Sequence, residues 1–474
     1  MEYKKVDMRI ITRLMQIVGE KNVLTKDEEK ESYSHDETLN LRRYMPEIVL
    51  KPNNRNQVRD ILILANKEKI PITPRGGGTG LSGGAVPLYG GILLSLERMN
   101  KILELDKENM MAVLEPGVTN GELRRQAEKY GLFYPVNPAS LDSCTIGGNV
   151  AESAGGANAV KYGITKNYVC GVEAVLLRGK TLRAGGKILK NATNSQFIDL
   201  LLGSEGTLAV ITEITMKLVP LPRVKVDLIV PFDDLSGLCG CALEIINNRL
   251  LPTTIELMDR LTISACEKFL QKELPFSQAK AHLWIGLDGN KKEEVESMYQ
   301  SMGEICLDKG ALDVFVAEDR PNRDRIWQAR QSIHEALVHF NPKMVGNDIV
   351  VPRSKVLSLI KGIDYLSRKH SVSFAKFGHL GDGNIHVYIL QKNMNDSTWE
   401  KVKSEAVQEL FELTISLGGL ISGEHGIGLV KKKYLSLVMS KTQIELMRGI
   451  KKVFDPHNIL NPGKIFDSFE KCNR

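Results

Sequence analysis

The 474-residue chain predicts an α+β protein of two layered units and a returning tail. Three features carry that expectation. Short apolar runs bounded by Pro or Gly alternate with helical periodicities through the first 222 residues. After Pro220–Pro222 the helices lengthen but still alternate with strands, the texture of a second layered unit. The 41 glycines cluster, with eight between Gly76 and Gly91. At roughly 100–200 residues per domain the length corresponds to two to four units.

In chain order, Ile10, Ile11, Leu14, Ile17 and Val18 have helical spacing over 8–18. Pro46–Pro52 reads as a proline-bounded strand, 54–68 as a helix with Val58, Ile61, Leu62 and Leu64 inward, and "IPITP" as a second strand. Gly91–Leu96 and "MAVLEPGVT" are strands, and Asn120–Tyr130 is a capped helix. Gly-rich stretches follow at Gly147–Gly156 and Gly203–Ile214, the latter running into an alternating strand. Beyond the proline pair, Leu235–Asn247, Lys291–Lys309, Ser354–Lys369 and Ser397–Leu417 are helical. The expected units are residues 1–222, 223–420 and 421–474.

Composition narrows the classes. Lys+Arg is 63 and Asp+Glu 57, a net charge of +6, mild for this length. The largest basic run, Lys431–Lys433, has no interleaved aromatics, which speaks against a nucleic-acid groove. Seven scattered cysteines with no CxxC pair suggest neither a disulfide framework nor a cysteine zinc site. Met1–Gly19 has no secretory pattern. No stretch approaches the roughly 18 apolar residues of a spanning helix. A soluble cytoplasmic protein is expected, with membrane association through a partner left open.

The Pro74–Pro87 stretch contains Gly78-Thr79-Gly80-Leu81-Ser82-Gly83, which matches G-x-G-x-x-G. A dinucleotide fingerprint needs a helix directly after it, and Gly83-Gly84-Ala85-Val86-Pro87 cannot start one. The loop remains a phosphate cradle by another route. Residues without Cβ let backbone N–H groups converge on an anion, and Arg75, Thr79 and Ser82 add donors. Asn137–Gly156 and Gly203–Ile214 extend small and hydroxyl-bearing residues along a long ligand, which suits a dinucleotide.

Two histidine motifs point to a metal. In "FGHLGDGNIHVYIL" a hairpin closing on Gly381–Asn384 would set His379 opposite His386, with Cβ atoms about 5 Å apart. "SGEHGIG" offers Glu424 and His425 in a glycine-flanked turn. Two imidazoles and a carboxylate suit a catalytic divalent ion with open positions, and Zn, Fe(II) and Mn all fit. His282 and His457 read as ordinary hydrogen-bonded histidines.

The three glycine stretches together with "GHLGDGNIH", "SGEHGIG" and the tail "FDPHNILNPGKIF" resemble the FAD-dependent 2-hydroxy-acid dehydrogenases. These are vanillyl-alcohol-oxidase-type flavoproteins, in the branch holding D-lactate dehydrogenase, D-2-hydroxyglutarate dehydrogenase and the glycolate oxidase FAD subunit. The resemblance runs from about Tyr33 to Phe466. It implies an FAD-binding domain of two α/β subdomains, a cap domain with an antiparallel sheet and helices, and a tail returning to the FAD domain.

The resemblance also implies roles. Arg75, Gly76, Gly77, Gly78, Thr79, Gly80, Ser82 and Gly83 would hold the FAD pyrophosphate. Pro138, Thr145, Gly147, Gly148, Asn149 and Ser153 would line the flavin and ribityl chain. Gly206, Thr207 and Ile211 would lie along the cofactor, with Asn461 closing the site. His379, His386 and Glu424 match the metal ligands, His425 the catalytic base, and Arg330 the clamp on the substrate carboxylate. The pyrophosphate loop has no His for a covalent flavin link, and Cys144 reads as a small buried residue, so non-covalent FAD is expected. The implied reaction takes a D-2-hydroxy acid, D-lactate first, to its 2-oxo acid by hydride transfer to flavin N5. Glycolate and D-2-hydroxyglutarate are the alternatives, and a non-catalytic flavin-binding subunit is the alternative of another class. Unperturbed His425, with an imidazole pKa near ~6.5, would take the hydroxyl proton. The electron acceptor would be external, such as electron-transferring flavoprotein or a quinone, and an oligomer or hetero-complex is compatible with this.

Overall fold

The computed structural model describes residues 3–467. Residues 1–2 and 468–474, the outer ends of the expected first and last units, lie outside the described residues. The first helix, Met8–Val18, is capped by Asp7, whose carboxylate accepts from the Ile10 N–H. It buries Ile10, Leu14 and Val18, every fourth residue, in a core shared with helix Arg55–Glu68. Beneath them lies a four-stranded sheet in the order Val23–Leu24, Ile48–Leu50, Ile92–Ser95, Ile72–Arg75. Its last three strands are parallel; Ile48–Leu50 and Ile92–Ser95 are fully buried, and Ile72–Arg75 is buried at Ile72 and Thr73. The tail extends this sheet: Ile72 N–H donates to Ile459 O at 2.7 Å, and Asn461 N–H donates to Ile72 O at 2.6 Å.

A second, five-stranded antiparallel sheet follows in the order Ile102–Asp106, Met111–Leu114, Val210–Lys217, Val169–Val175, Thr181–Gly185. Its core includes Leu114, Ile146, Val150, Val172 and Ile214. Part of the second glycine stretch, to which the sequence assigned no element, is the helix Ile146–Glu152, started by Thr145 as its N-cap. Gly147 permits this, since a Cβ there would stand 2.5 Å from Pro116 Cβ. Small residues serve here as helix-packing residues as well as a ligand wall.

From Val224 the chain builds a seven-stranded antiparallel sheet, in the order Phe315–Ala317, Val224–Phe232, Ala281–Gly289, Thr254–Asp259, Ser373–His379, Asn384–Leu390, Met344–Val350. Helices cover both faces. Leu228, Leu257, Ile285, Phe374, Val387 and Ile389 pack on one face, with Leu238 of helix Leu235–Asn247, Ile363 of Val356–His370 and Leu410 of Asp396–Ser416. Met258, Trp284, Phe377 and Tyr388 pack on the other, with Ile263, Ala329 and Leu337 from helices Arg260–Leu270, Arg320–Gln331 and Ile333–Phe340. Both faces are buried, so the strands read as nearly unbroken apolar runs. The four long helices expected here form within two residues of their expected ends. On the second face the apolar packing gives way, at one end of the sheet, to Glu256, His379, His386 and Asp348.

Candidate active site

The hairpin expected around Gly381–Asn384 forms, with a different register. Phe377 pairs with His386, Gly378 with Ile385 and His379 with Asn384, so the four-residue loop is Leu380–Gly383. His379 is therefore diagonal to His386, not opposite. The shift is two positions, an even number, so both rings keep the same sheet face. Their centroids are 5.3 Å apart. Glu424 reaches them from the 422–428 loop: its Oε1 lies 3.1 Å from His379 Nε2 and 3.3 Å from His386 Nε2. The ligand atoms of His379, His386 and Glu424 all lie within 4.8 Å of one another.

Each histidine is backed by a carboxylate, the arrangement that orients metal-binding imidazoles. His379 Nδ1 bonds Glu256 Oε1 at 2.7 Å, and His386 Nδ1 faces Asp348 Oδ1 at 3.6 Å. Burial works against a charged His379, but Glu256 and Glu424 on either side raise its pKa well above the usual imidazole value. A cation at its Nε2 would answer the same two carboxylates. Asp348, His386 and His425 form a second candidate set. It is the weaker one, because Asp348 Oδ2 already accepts from Ser422 Oγ and from the Gly423, Glu424 and His425 N–H groups at 2.9–3.0 Å.

His425 stacks on His386, with centroids 5.1 Å apart and planes 6° from parallel. The expectation of an unperturbed imidazole needs correction: burial pushes His425 down to about 4. It is a neutral acceptor at ordinary pH. Arg330 lies at the end of its helix, 6% exposed, and its Nε and Nη2 bond Glu256 Oε2 at 2.7 and 2.6 Å. The guanidinium is thus not a free clamp but one end of a chain Arg330–Glu256–His379. Its remaining N–H groups are those available to a substrate carboxylate.

These side chains open onto a cavity of about 540 Å³ whose other wall is the glycine stretches. Arg75, Gly76, Gly77, Gly78, Thr79 and Gly80 line it, as do Pro138, Thr145, Gly147, Gly148, Asn149, Gly206 and Ile211. Arg330, His379, His386, Glu424 and His425 line the cap side. Ser82, Gly83, Ser153, Thr207 and Asn461 stand outside this lining. Ser82 is fully buried and its carbonyl accepts from Leu429 N–H at 2.8 Å. Thr207 Oγ1 donates to Ser204 O, and Asn461 Nδ2 donates to Gly84 O and Glu205 O. Arg75 donates to His35 O and Ser32 O, tying the loop to the N-terminal segment. Gly77 is required by approach: a Cβ would stand 2.2 Å from Ser143 O.

Comparison with known proteins settles the family. Residues 46–185 match the family described as FAD binding domain, and residues 221–465 match FAD linked oxidases, C-terminal domain. The chain is 38% identical to a glycolate oxidase subunit of Bacillus subtilis, covering 96% of each chain. It is 36% identical to a D-lactate dehydrogenase of Anaerostipes hadrus, covering 98% of each. The chain belongs to the FAD-linked D-2-hydroxy-acid dehydrogenase and oxidase family. A third relative of this family, a D-2-hydroxyglutarate dehydrogenase of Stutzerimonas stutzeri, is 33% identical over 97% of the chain and 99% of its own length. Among solved structures, p-cresol methylhydroxylase superposes with a TM-score of 0.80 at 18% identity, covering 98% of this chain and 97% of that one. The fold is the vanillyl-alcohol-oxidase type.

The FAD of such oxidoreductases fits the residues present. One wall of the cavity is built largely from Gly, Ala, Ser and Thr, and Asn149 Nδ2, in that wall, is a buried polar atom with no protein partner. Cys144, also in the wall, is buried, and its thiol pKa is raised by that burial. No described helix is long and apolar enough to cross a membrane.

Four carboxylates at the site escaped the sequence reading: the buried Glu205, Glu256 and Asp348, and the part-buried Glu152. Glu256 and Asp348 carried a signal, an acid set among apolar strand residues in "TIELMD" and "NDIVV". Such an acid is almost never buried without a partner.

Proposed function

We propose that the chain oxidises a D-2-hydroxy acid, D-lactate first, to its 2-oxo acid. The reading is carried by the convergence of His379, His386, Glu424, His425 and Arg330 on one wall of the FAD cavity. The fit for a divalent cation rests on the donor set, two imidazole nitrogens and a carboxylate oxygen backed by Glu256 and Asp348. His379, His386 and Glu424 would hold it, and it would supply Lewis acidity toward an oxygen-rich substrate. Bound FAD supplies the two-electron acceptor for a hydride leaving the substrate Cα.

The protein's own groups do the rest. The free N–H groups of Arg330 orient the substrate carboxylate. His425, kept neutral by burial, accepts the hydroxyl proton on its imidazole. Loss of that proton to His425 and of a hydride from Cα converts the carbinol to a carbonyl. Apolar packing from Phe377 and Tyr388 shields this end of the sheet from water.

Two arginines line the cavity. Arg75 bonds the N-terminal carbonyls, and Arg330 stands at the metal set. Among the described lining residues, no further Lys or Arg is offered to a second carboxylate, which favours D-lactate or glycolate over D-2-hydroxyglutarate. Tyr388 Oη bonds His334 Nδ1 at 2.8 Å, and its ring lies across Gly346, where a Cβ would meet it at 2.9 Å. That wall suits a small substrate. FAD is held non-covalently, and electrons leave to an external acceptor such as electron-transferring flavoprotein or a quinone. We take the FAD-binding unit as residues 1–222 and the cap as 223–420; of the described remainder, Ile421 and Tyr434 still pack in the cap core, and Ile459 and Leu460 return to the FAD unit. Steady-state kcat/KM with an artificial acceptor tests the substrate: D-lactate should exceed D-2-hydroxyglutarate by about tenfold or more. The opposite order would refute the substrate assignment.

A further inference from the structure

Residues Ser422–Gly428 form neither helix nor strand, yet they carry Glu424 and His425. Fixing an irregular backbone costs about 1–2 kcal/mol per residue, so something must hold it. Two buried carboxylates do, from opposite sides. On the cap side, Asp348 Oδ2 gathers Ser422 Oγ and three successive N–H groups, as described above. On the flavin side, Glu205 Oε1 accepts from Ile427 N–H at 2.7 Å and Oε2 accepts from Gly428 N–H at 2.7 Å. Each oxygen takes one donor, a two-pronged, charge-assisted grip.

Gly426 sits between the two anchors with φ +83°, and a Cβ there would stand 2.5 Å from Glu152 Oε2 and 2.9 Å from Glu205 Oε1. The strap is therefore pressed onto the carboxyl pair with no space for a side chain. Glu205 belongs to the turn Ser204–Gly206, all three residues of which line the cavity, and its carbonyl accepts from Asn461 Nδ2 at 2.7 Å. The same short turn thus borders the FAD cavity and, through the Glu205 carboxylate, grips the His425 loop.

We propose that Glu205 and Asp348 are positioning residues, which hold the Ser422–Gly428 strap from opposite sides and so set where His425 stands relative to the flavin. This rests on the reading of His425 as the base. Ordering of the Ser204–Gly206 turn by FAD is passed to the strap through Glu205, so flavin loading and strap order are coupled.

Hydrogen exchange tests this without substrate. In the wild-type protein, FAD loading should slow exchange of the Ile427 and Gly428 amides by about tenfold or more. Unchanged exchange at those amides would overturn the proposal. In FAD-loaded Glu205→Gln, exchange should speed up at Ile427 and Gly428 but not at Gly423–His425, and Asp348→Asn should show the reverse pattern. Glu205→Gln should also lose ~10²-fold in kcat for D-lactate with KM nearly unchanged and the flavin absorbance retained. Turnover within about twofold of wild type in the flavin-loaded variant would overturn it as well. If Glu205→Gln does not retain FAD, the wild-type comparison decides alone. Failure of the base reading is a separate result, active His425→Ala, which leaves the exchange pattern untouched.

Discussion

His425 shows how much a single environment changes a side chain's chemistry. In water its imidazole would be half charged near ~pH 6.5. Burial beside His386 drives it to about 4. His425→Ala should lower turnover of D-lactate by at least ~10²-fold while the protein stays folded and yellow, checked by anaerobic flavin reduction and by absorbance of the bound flavin. Full activity in that variant would remove His425 from the mechanism. The histidines and Glu424 were legible because glycines frame them. Their supports were not. Asp348 is 74 residues from Ser422, and Glu205 is 222 from Ile427, so neither pairing leaves a local pattern. Arg330 was placed on the substrate carboxylate by the resemblance, and nothing near it in sequence announces its partner Glu256, 74 residues earlier.

The hairpin was legible as a hairpin, and its register was not. Turn chemistry puts Asn384 in the loop, but its side chain donates to Asp348 Oδ1 at 2.7 Å and to Ile349 O at 2.9 Å. Those long-range bonds draw Asn384 into the strand and move the loop to Leu380–Gly383. Gly383 then needs φ +84°, and a Cβ would stand 2.1 Å from Val351 O. Gly383→Ala should therefore destabilise the protein by more than about 1 kcal/mol in urea unfolding and weaken metal binding, since the loop carries His379 into place. A variant of wild-type stability and metal content would contradict the account of the turn. The helix Ile146–Glu152 was hidden for a related reason. Glycines depress helix propensity, and only contact with Pro116 shows why they are needed there.

The whole chain places its redox cavity between a glycine-walled FAD unit and a cap sheet buried on both faces. Alternating periodicities made this division and the long helices legible, because burial of one face leaves a period in sequence. Burying so many acids has a pH consequence. Asp227, bonded by Trp327 Nε1 at 3.2 Å, is raised by burial from 3.8 to about 6. The folded state thus holds that proton more tightly than the unfolded chain. Stability from this group is present at low pH and is lost as pH rises to about 6, and the penalty persists above. Asp227→Asn should raise the melting temperature at pH 8, by an amount worth at most about 3 kcal/mol, and the gain should shrink as pH falls below 6. An equal effect at both ends of that range would contradict the assignment. In the proposed reaction the cap's candidate metal set and His425 would act on a D-2-hydroxy acid at the flavin. Rapid anaerobic mixing with D-lactate, followed by flavin absorbance, tests it most directly. D-lactate should bleach the flavin in one phase, L-lactate should not, and chelator-treated protein should bleach only after a divalent metal is restored. Equal bleaching by both enantiomers, or full-rate bleaching by metal-free protein, would contradict it.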